Sequence, residues 1–164
     1  MDPAWIGVIG AVVGALASYP VQAVLAKRAD SAAQSKELRA DRVAAYSSFA
    51  EKVMEWRRSQ VIRRMLTIRP TDDTDAAEAI RDENRRARAA AWTTYYRVRL
   101  LCDDAAIEAS ALGVIQTTRA MKHAKDRPEL NQIGDNVRRD LNSFLDIAAH
   151  QTSATAATDR TRTA

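Results

Sequence analysis

Residues 3–26 read PAWIGVIGAVVGALASYPVQAVLA, twenty-four positions without a charged side chain, closed by Asp2 on one side and Lys27-Arg28 on the other. A helix of that length rises about 36 Å, enough to cross a hydrocarbon core of about 30 Å with some tilt. The stretch is therefore expected to be a transmembrane anchor. Nine Val, Ile and Leu side chains favour insertion against Ser18, Pro20 and Gln22, Trp5 stands where an interfacial aromatic belongs, and Lys27 and Arg28 can snorkel from the far end. A cleaved signal peptide is the rival reading, but Asp2 replaces the basic n-region that such a leader needs. No cation precedes the stretch, whereas Lys27, Arg28, Lys36, Arg39 and Arg42 follow it closely. Positive charge on one side predicts a single-pass protein of the cell membrane with its N-terminus outside and its C-terminal part in the cytoplasm. Gly10 and Gly14 form a small-xxx-small pair and are the candidate residues for close helix–helix association.

Working outward, the chain after the stretch is charged and free of strand-like alternation. From Ser31 to Ile68 there is no Gly or Pro, and Leu38, Val43, Tyr46, Phe49, Val53, Trp56, Val61 and Met65 recur at steps near three and four. Arg69-Pro70-Thr71 ends that helix. Asp75 and Glu78 make a capping-box pattern for a second helix, Ala76 to about Cys102, whose inner face holds Ile80, Ala87, Ala91, Val98 and Leu101. Asp103 or Asp104 can cap a third, through Ile107, Ala111, Val114, Thr118 and Met121. Asp126-Arg127-Pro128-Glu129 starts a fourth, carried by Leu130, Ile133, Val137, Leu141, Phe144 or Leu145, and Ala148 to about His150.

The expected fold is all-α: one N-terminal transmembrane helix (residues 1–28), then an antiparallel bundle of about four helices (29–150), then a disordered tail (151–164). Twenty of the twenty-five cations are Arg and thirty-two residues are Ala. From residue 27 onward those twenty-five cations face twenty acids, a mild basicity short of what marks a nucleic-acid binder. The single Cys102 excludes an internal disulfide and suits a reducing compartment.

Trp5-Ile6-Gly7 with Gly10 and Gly14, Arg42 to Phe49 (RVAAYSSF), Leu100 to Ala109 (LLCDDAAIEA) and Arg138 to Leu141 (RRDL) give the chain its general look. In these it resembles small single-pass membrane proteins of high-GC Gram-positive bacteria and their phages. The resemblance implies a topology and brings no activity.

Catalytic chemistry has little to work with. There is no HExxH, CxxC, GxxxxGK[ST] or GxGxxG, and the two histidines, His123 and His150, lie at opposite ends of their helical hairpin. Asp103 and Asp104 adjoin Cys102 and oppose its thiolate. No catalytic residue, cofactor or metal site is expected. One polar feature stands out: between Glu83 and Asp103 there is no acid, and Arg85, Arg88, Trp92 and Arg99 share one helical face. These four are the candidate site for lipid headgroups or a partner. A second acid-free stretch, Trp56 to Arg69, carries Arg57, Arg58, Arg63, Arg64 and Arg69.

The function expected from sequence is a non-enzymatic interaction or scaffold protein, anchored at the cytoplasmic membrane face. The alternatives are a holin-like or exclusion-type membrane-active protein assembling through Gly10 and Gly14, and an anchored binder of nucleic acid or anionic lipid. The expected partners are membrane lipids and either a protein partner or a second copy, with nucleic acid not expected.

Overall fold

The computed structural model describes the backbone of residues 4–70 and 72–163, and the side chains of 33–70 and 72–153. Four α-helices account for it: α1 (Ala4–Ile68), α2 (Thr74–Leu101), α3 (Ala105–Ala120) and α4 (Arg127–Thr163), with a single 3-10 turn at Met121–His123 after α3. The chain divides into two compact units, residues 1–39 and 40–164. The first is formed by the early part of α1. The second is a four-helix bundle.

The helix ends follow from side-chain capping. Asp73 Oδ1 accepts from the Ala76 amide at 2.9 Å, so the cap of α2 is Asp73 and not the expected Asp75, which sits inside the first turn. Either carboxylate suits the positive end of the helix, but only Asp73 has the extended backbone of a cap, at φ −78° and ψ 95°. Asp104 caps α3 through the Ala106 amide at 2.8 Å. At α4 the reciprocal pattern forms: Asp126 Oδ1 accepts from the Glu129 amide at 2.8 Å, and Glu129 Oε2 reaches back to the Lys125 amide at 2.7 Å. α1 stops at Pro70, with the Arg69 amide donating to the Met65 carbonyl at 2.8 Å in its last turn.

Contacts along α1 set the directions of its neighbours. Arg42 reaches Leu101 at the end of α2, and Tyr46 reaches Gln151 late in α4. Further on, Arg63 reaches Asn84 early in α2, and Arg57 reaches Gly134 early in α4. Both α2 and α4 therefore run antiparallel to α1. The core between them is Phe49, Val53, Trp56, Val98, Ile107, Val114, Ile115, Met121, Leu130, Val137 and Phe144, all at 0 to 1% exposure. Phe144 is the hub, edge-on to Phe49 at 5.1 Å and to Tyr46 at 5.8 Å. Ala87, Ala91 and Ala111 are buried, and their small size lets backbones approach. Thr117 Oγ1 donates to Asp140 Oδ2 at 2.6 Å and joins α3 to α4.

One expectation is overturned. Among the described residues no helix is long and apolar enough to cross a membrane. This corrects the N-terminal transmembrane helix, and with it the single-pass topology, the outside N-terminus and the cell-membrane address. The reading of residues 3–26 set nine Val, Ile and Leu against Ser18, Pro20 and Gln22, a modest apolar margin. Beside its nine Val, Ile and Leu the stretch holds mostly Ala and Gly with three helix-polar or helix-bending positions. Its backbone does not end at the flanking cations but runs on within α1 through Lys27, Arg28 and Lys36 to Ile68. Gly10 and Gly14 lie among the residues whose side chains are outside the described set.

Two smaller differences also have a cause. Leu38 and Val43 were expected inside but are 43% and 47% exposed, since inter-helix contacts of α1 begin at Arg42 and its buried face at Ala45. α4 continues as helix to Thr163 where its apolar spacing ends near His150.

Candidate partner-binding face

The bundle sorts its arginines into two groups. On α1, Arg42, Arg57 and Arg64 are turned inward on backbone carbonyls, while Arg39 and Arg58 stay exposed. Arg42 Nε donates to the Leu101 carbonyl at 2.7 Å, with its Nη2 on Asp103 Oδ2 at 3.1 Å. Arg57 Nε donates to the Gly134 carbonyl at 2.9 Å, and Arg64 Nε donates to the Ala124 carbonyl in the turn before α4. Arg42 and Arg64 supply carbonyls at chain turns, where the helix itself has no donor left to offer. Arg57 lies across α4 where a Cβ on Gly134 would stand 3.0 Å from its Nη2, so glycine at 134 is what admits the guanidinium. Burial, and secondarily Arg138, pushes the Arg57 guanidinium below its ordinary range. Arg63 Nη1 donates to Asn84 Oδ1 at 3.3 Å, and Asn84 Nδ2 donates to Ser59 Oγ at 2.9 Å. Ser59 in turn donates to the Trp56 carbonyl at 2.8 Å, closing a buried polar chain between α1 and α2. Trp56 Nε1 is buried with no hydrogen-bond partner among the described residues.

The α2 arginines point outward. Arg85 is exposed and pairs with Asp82 one turn earlier, and Arg99 Nε pairs with Glu108 Oε1 on α3 at 2.9 Å. Arg88 is exposed and has no ion pair among the described residues. Between them Trp92 packs half-buried on the core, 5.6 Å from Tyr95 and 5.8 Å from Tyr96. Tyr95 is buried while Tyr96 is 51% exposed, and Leu100 on the next turn is 85% exposed. The four expected residues Arg85, Arg88, Trp92 and Arg99 therefore lie on one side of α2, and of the two tyrosines the spacing offered for that face, Tyr95 and Tyr96, it is Tyr96 that is exposed. Exposed ion pairs of this kind contribute little to stability, about 0 to 1 kcal/mol, and exchange readily for a ligand's carboxylates or phosphates.

What sequence reading did not foresee is the inward use of Arg42, Arg57 and Arg64. For Arg57 and Arg64 the available signal was the acid-free run from Trp56 to Arg69, whose cations have no sequence-local acid and find acceptors elsewhere; Arg42, next to Asp41, carried no such signal. An open cleft of about 530 Å³ lies along α1, lined by Glu51, Met54, Arg58, Val61, Ile62 and Asn131 among others. Among the described residues no cluster of three or more His, Cys, Asp or Glu could hold a metal ion. Cys102 Sγ is half-buried and accepts from the Asp104 amide at 3.3 Å.

Against families of known proteins, a single finding decides membership: the family described as KilB plasmid transfer protein matches residues 43–152, two thirds of the chain. The chain belongs to the KilB plasmid transfer protein family. The KilB match opens at Val43, inside α1, and closes at Thr152, inside α4, so it takes in all of α2 and α3 and the face built on Arg85, Arg88, Trp92 and Arg99. The family's description names plasmid transfer. No curated protein and no solved structure matches the chain.

Two tyrosines give the KilB-family bundle a pH limit. Burial, reinforced by the neighbouring Cys102 thiol, pushes the Tyr46 phenol far above its ordinary value, and burial with nearby Glu108 raises Tyr95. A phenol whose folded pKa is raised holds its proton longer folded than unfolded. Stability is therefore full below the unfolded tyrosine value of about 10 and falls as pH climbs beyond it. Urea unfolding is expected to give a flat free energy from about pH 8 to 9 and a decline above about pH 10, and Tyr46→Phe is expected to shallow that decline.

Proposed function

We propose that this protein is a non-enzymatic helical interaction module of plasmid transfer, and that it takes a protein partner of acidic surface on the outer face of α2. Family membership supports the process. The observation that carries the site is a division of labour among the arginines: Arg42, Arg57 and Arg64 of α1 are spent on carbonyls, while Arg88 of α2 is left without an ion pair among the described residues, beside Trp92 and Tyr96 with Arg85 and Arg99 at either side. An exposed guanidinium next to half-buried aromatic rings is the composition that concentrates binding energy at protein interfaces.

The test is crosslinking and pull-down of the full chain from donor cells, with plasmid transfer frequency measured in parallel. The triple change Arg85→Ala, Arg88→Ala and Tyr96→Ala is expected to leave the melting temperature nearly unaltered. It should abolish the crosslinked partner and lower transfer at least about tenfold, the effect of losing one hot-spot residue. Unchanged transfer and an unchanged crosslink pattern would reject the site. Salt-dependent retention of the wild-type chain on DNA, lost in the triple variant, would replace the protein partner by nucleic acid.

A further inference from the structure

We infer that two copies of this chain pair through α1, antiparallel and about a two-fold axis at Met54–Glu55. On the side of α1 opposite Phe49, Val53 and Trp56, a second stripe runs Ala44, Ser47, Glu51, Met54, Arg58, Ile62 and Met65. Its steps are 3, 4, 3, 4, 4 and 3, close to the 3.5-residue repeat of a helix that faces another helix. None of the seven is fully buried: Ala44, Ser47, Glu51, Arg58 and Ile62 are exposed, while Met54 and Met65 lie half-buried at the edge of the stripe, partly packed against the bundle's own core. Ile62 is 46% exposed, an unusual place for a large aliphatic side chain, and the open cleft lies along the same segment.

The order of residue types along the stripe says what covers it. Its first half is small and acidic, its second half basic and large, with Met54 between. Turned end to end about the axis, Glu51 of one copy faces Arg58 of the other, Ser47 faces Ile62, and Ala44 faces Met65. Ile62 and Met65 thus meet the small Ser47 and Ala44, Glu51 meets Arg58, each twice over, and Met54 meets its own copy at the axis, as an isologous contact allows. A foreign partner gives no reason for such a palindrome. Glu51 is available for it: Lys52 Nζ stands 3.3 Å from Glu51 but 2.9 Å from Glu55, and the Glu51 side chain remains 64% exposed. Arg58 has no ion pair among the described residues. Ala44 to Met65 covers about 32 Å of helix, enough for three heptads of contact.

This pairing uses α1 and is independent of the α2 face, so either reading can fail alone. The test is sedimentation equilibrium of the full chain, with folding checked by circular dichroism. The wild type is expected to be a dimer. Glu51→Arg and Arg58→Glu, each placing like charges opposite one another, are expected to raise the dimer dissociation constant at least about tenfold, while the double swap restores it to within about threefold. In a Cys102→Ser background, Met54→Cys is expected to give a disulfide-linked dimer on mild oxidation, and it decides the matter should a charge variant misfold. A wild type that stays monomeric, single reversals without effect, or a double swap no tighter than the singles would each overturn the inference.

Discussion

Phe144→Ala is expected to lower the unfolding free energy of the bundle by about 4 kcal/mol, the middle of the range for a fully buried aromatic cut to alanine. Phe144 has no exposure, and it touches α1 through two ring contacts, Phe49 at 5.1 Å and Tyr46 at 5.8 Å, both edge-on. Removing it forfeits the transfer free energy of the ring and two edge-to-face contacts worth about 0.5 to 1.5 kcal/mol each beyond area. It also leaves a cavity in a core borne by helices, which collapses poorly. Against a total stability of about 5 to 15 kcal/mol, that loss leaves about 1 to 11 kcal/mol. Urea unfolding followed by circular dichroism measures the change, and a loss under about 1 kcal/mol would mean the α1–α4 interface is not the packed core described above.

The second large effect is expected from Arg42→Ala combined with Arg64→Ala, about 3 to 5 kcal/mol. Each arginine donates a charge-assisted hydrogen bond to a carbonyl at a chain turn, Leu101 and Ala124 respectively, and such bonds are worth about 1.5 to 3 kcal/mol. The two positions are twenty-two residues apart on α1, about 33 Å of helix, so their effects should add. Lysine is expected to recover less than half at either site, because its ammonium cannot present Nε–H to the carbonyl and a second N–H to Asp103 from one planar fork.

Much of the bundle was legible in the sequence because its signals are local. Asp104 and Asp126 sit where a cap must be, and the spacing Ile107, Ala111, Val114, Thr118 and Met121 is the spacing of a buried stripe, as all five prove to be at 0% exposure. Pro70 and Pro128 mark the breaks. What failed was non-local. Nothing around Arg42 or Arg64 in sequence names a carbonyl fifty-nine or sixty residues away, so cations that strap the helices together looked like a solvated basic face. Asp73 and Asp75 are equally good caps by type, and the backbone angle that chooses between them is visible only in the fold. Leu38 and Val43 obey the helical period yet face solvent, since period says which side of a helix is apolar and not how far along it the neighbours reach. The reading of residues 3–26 failed differently, a modest apolar margin being taken for a span. Of the candidate site, the shared side of Arg85, Arg88, Trp92 and Arg99 followed from spacing alone, whereas the pairing of Arg99 with Glu108 needed α3 in place.

Arg42, Arg57 and Arg64 of α1 hold the fold, whereas the α2 arginines face outward for something else. Equilibrium urea unfolding of the full chain tests it directly by comparing Arg42→Ala/Arg64→Ala with Arg85→Ala/Arg88→Ala. The first pair is expected to lose about 3 to 5 kcal/mol and the second to stay within about 0.5 kcal/mol of wild type. Equal losses in the two pairs, or a larger loss at Arg85 and Arg88, would contradict it.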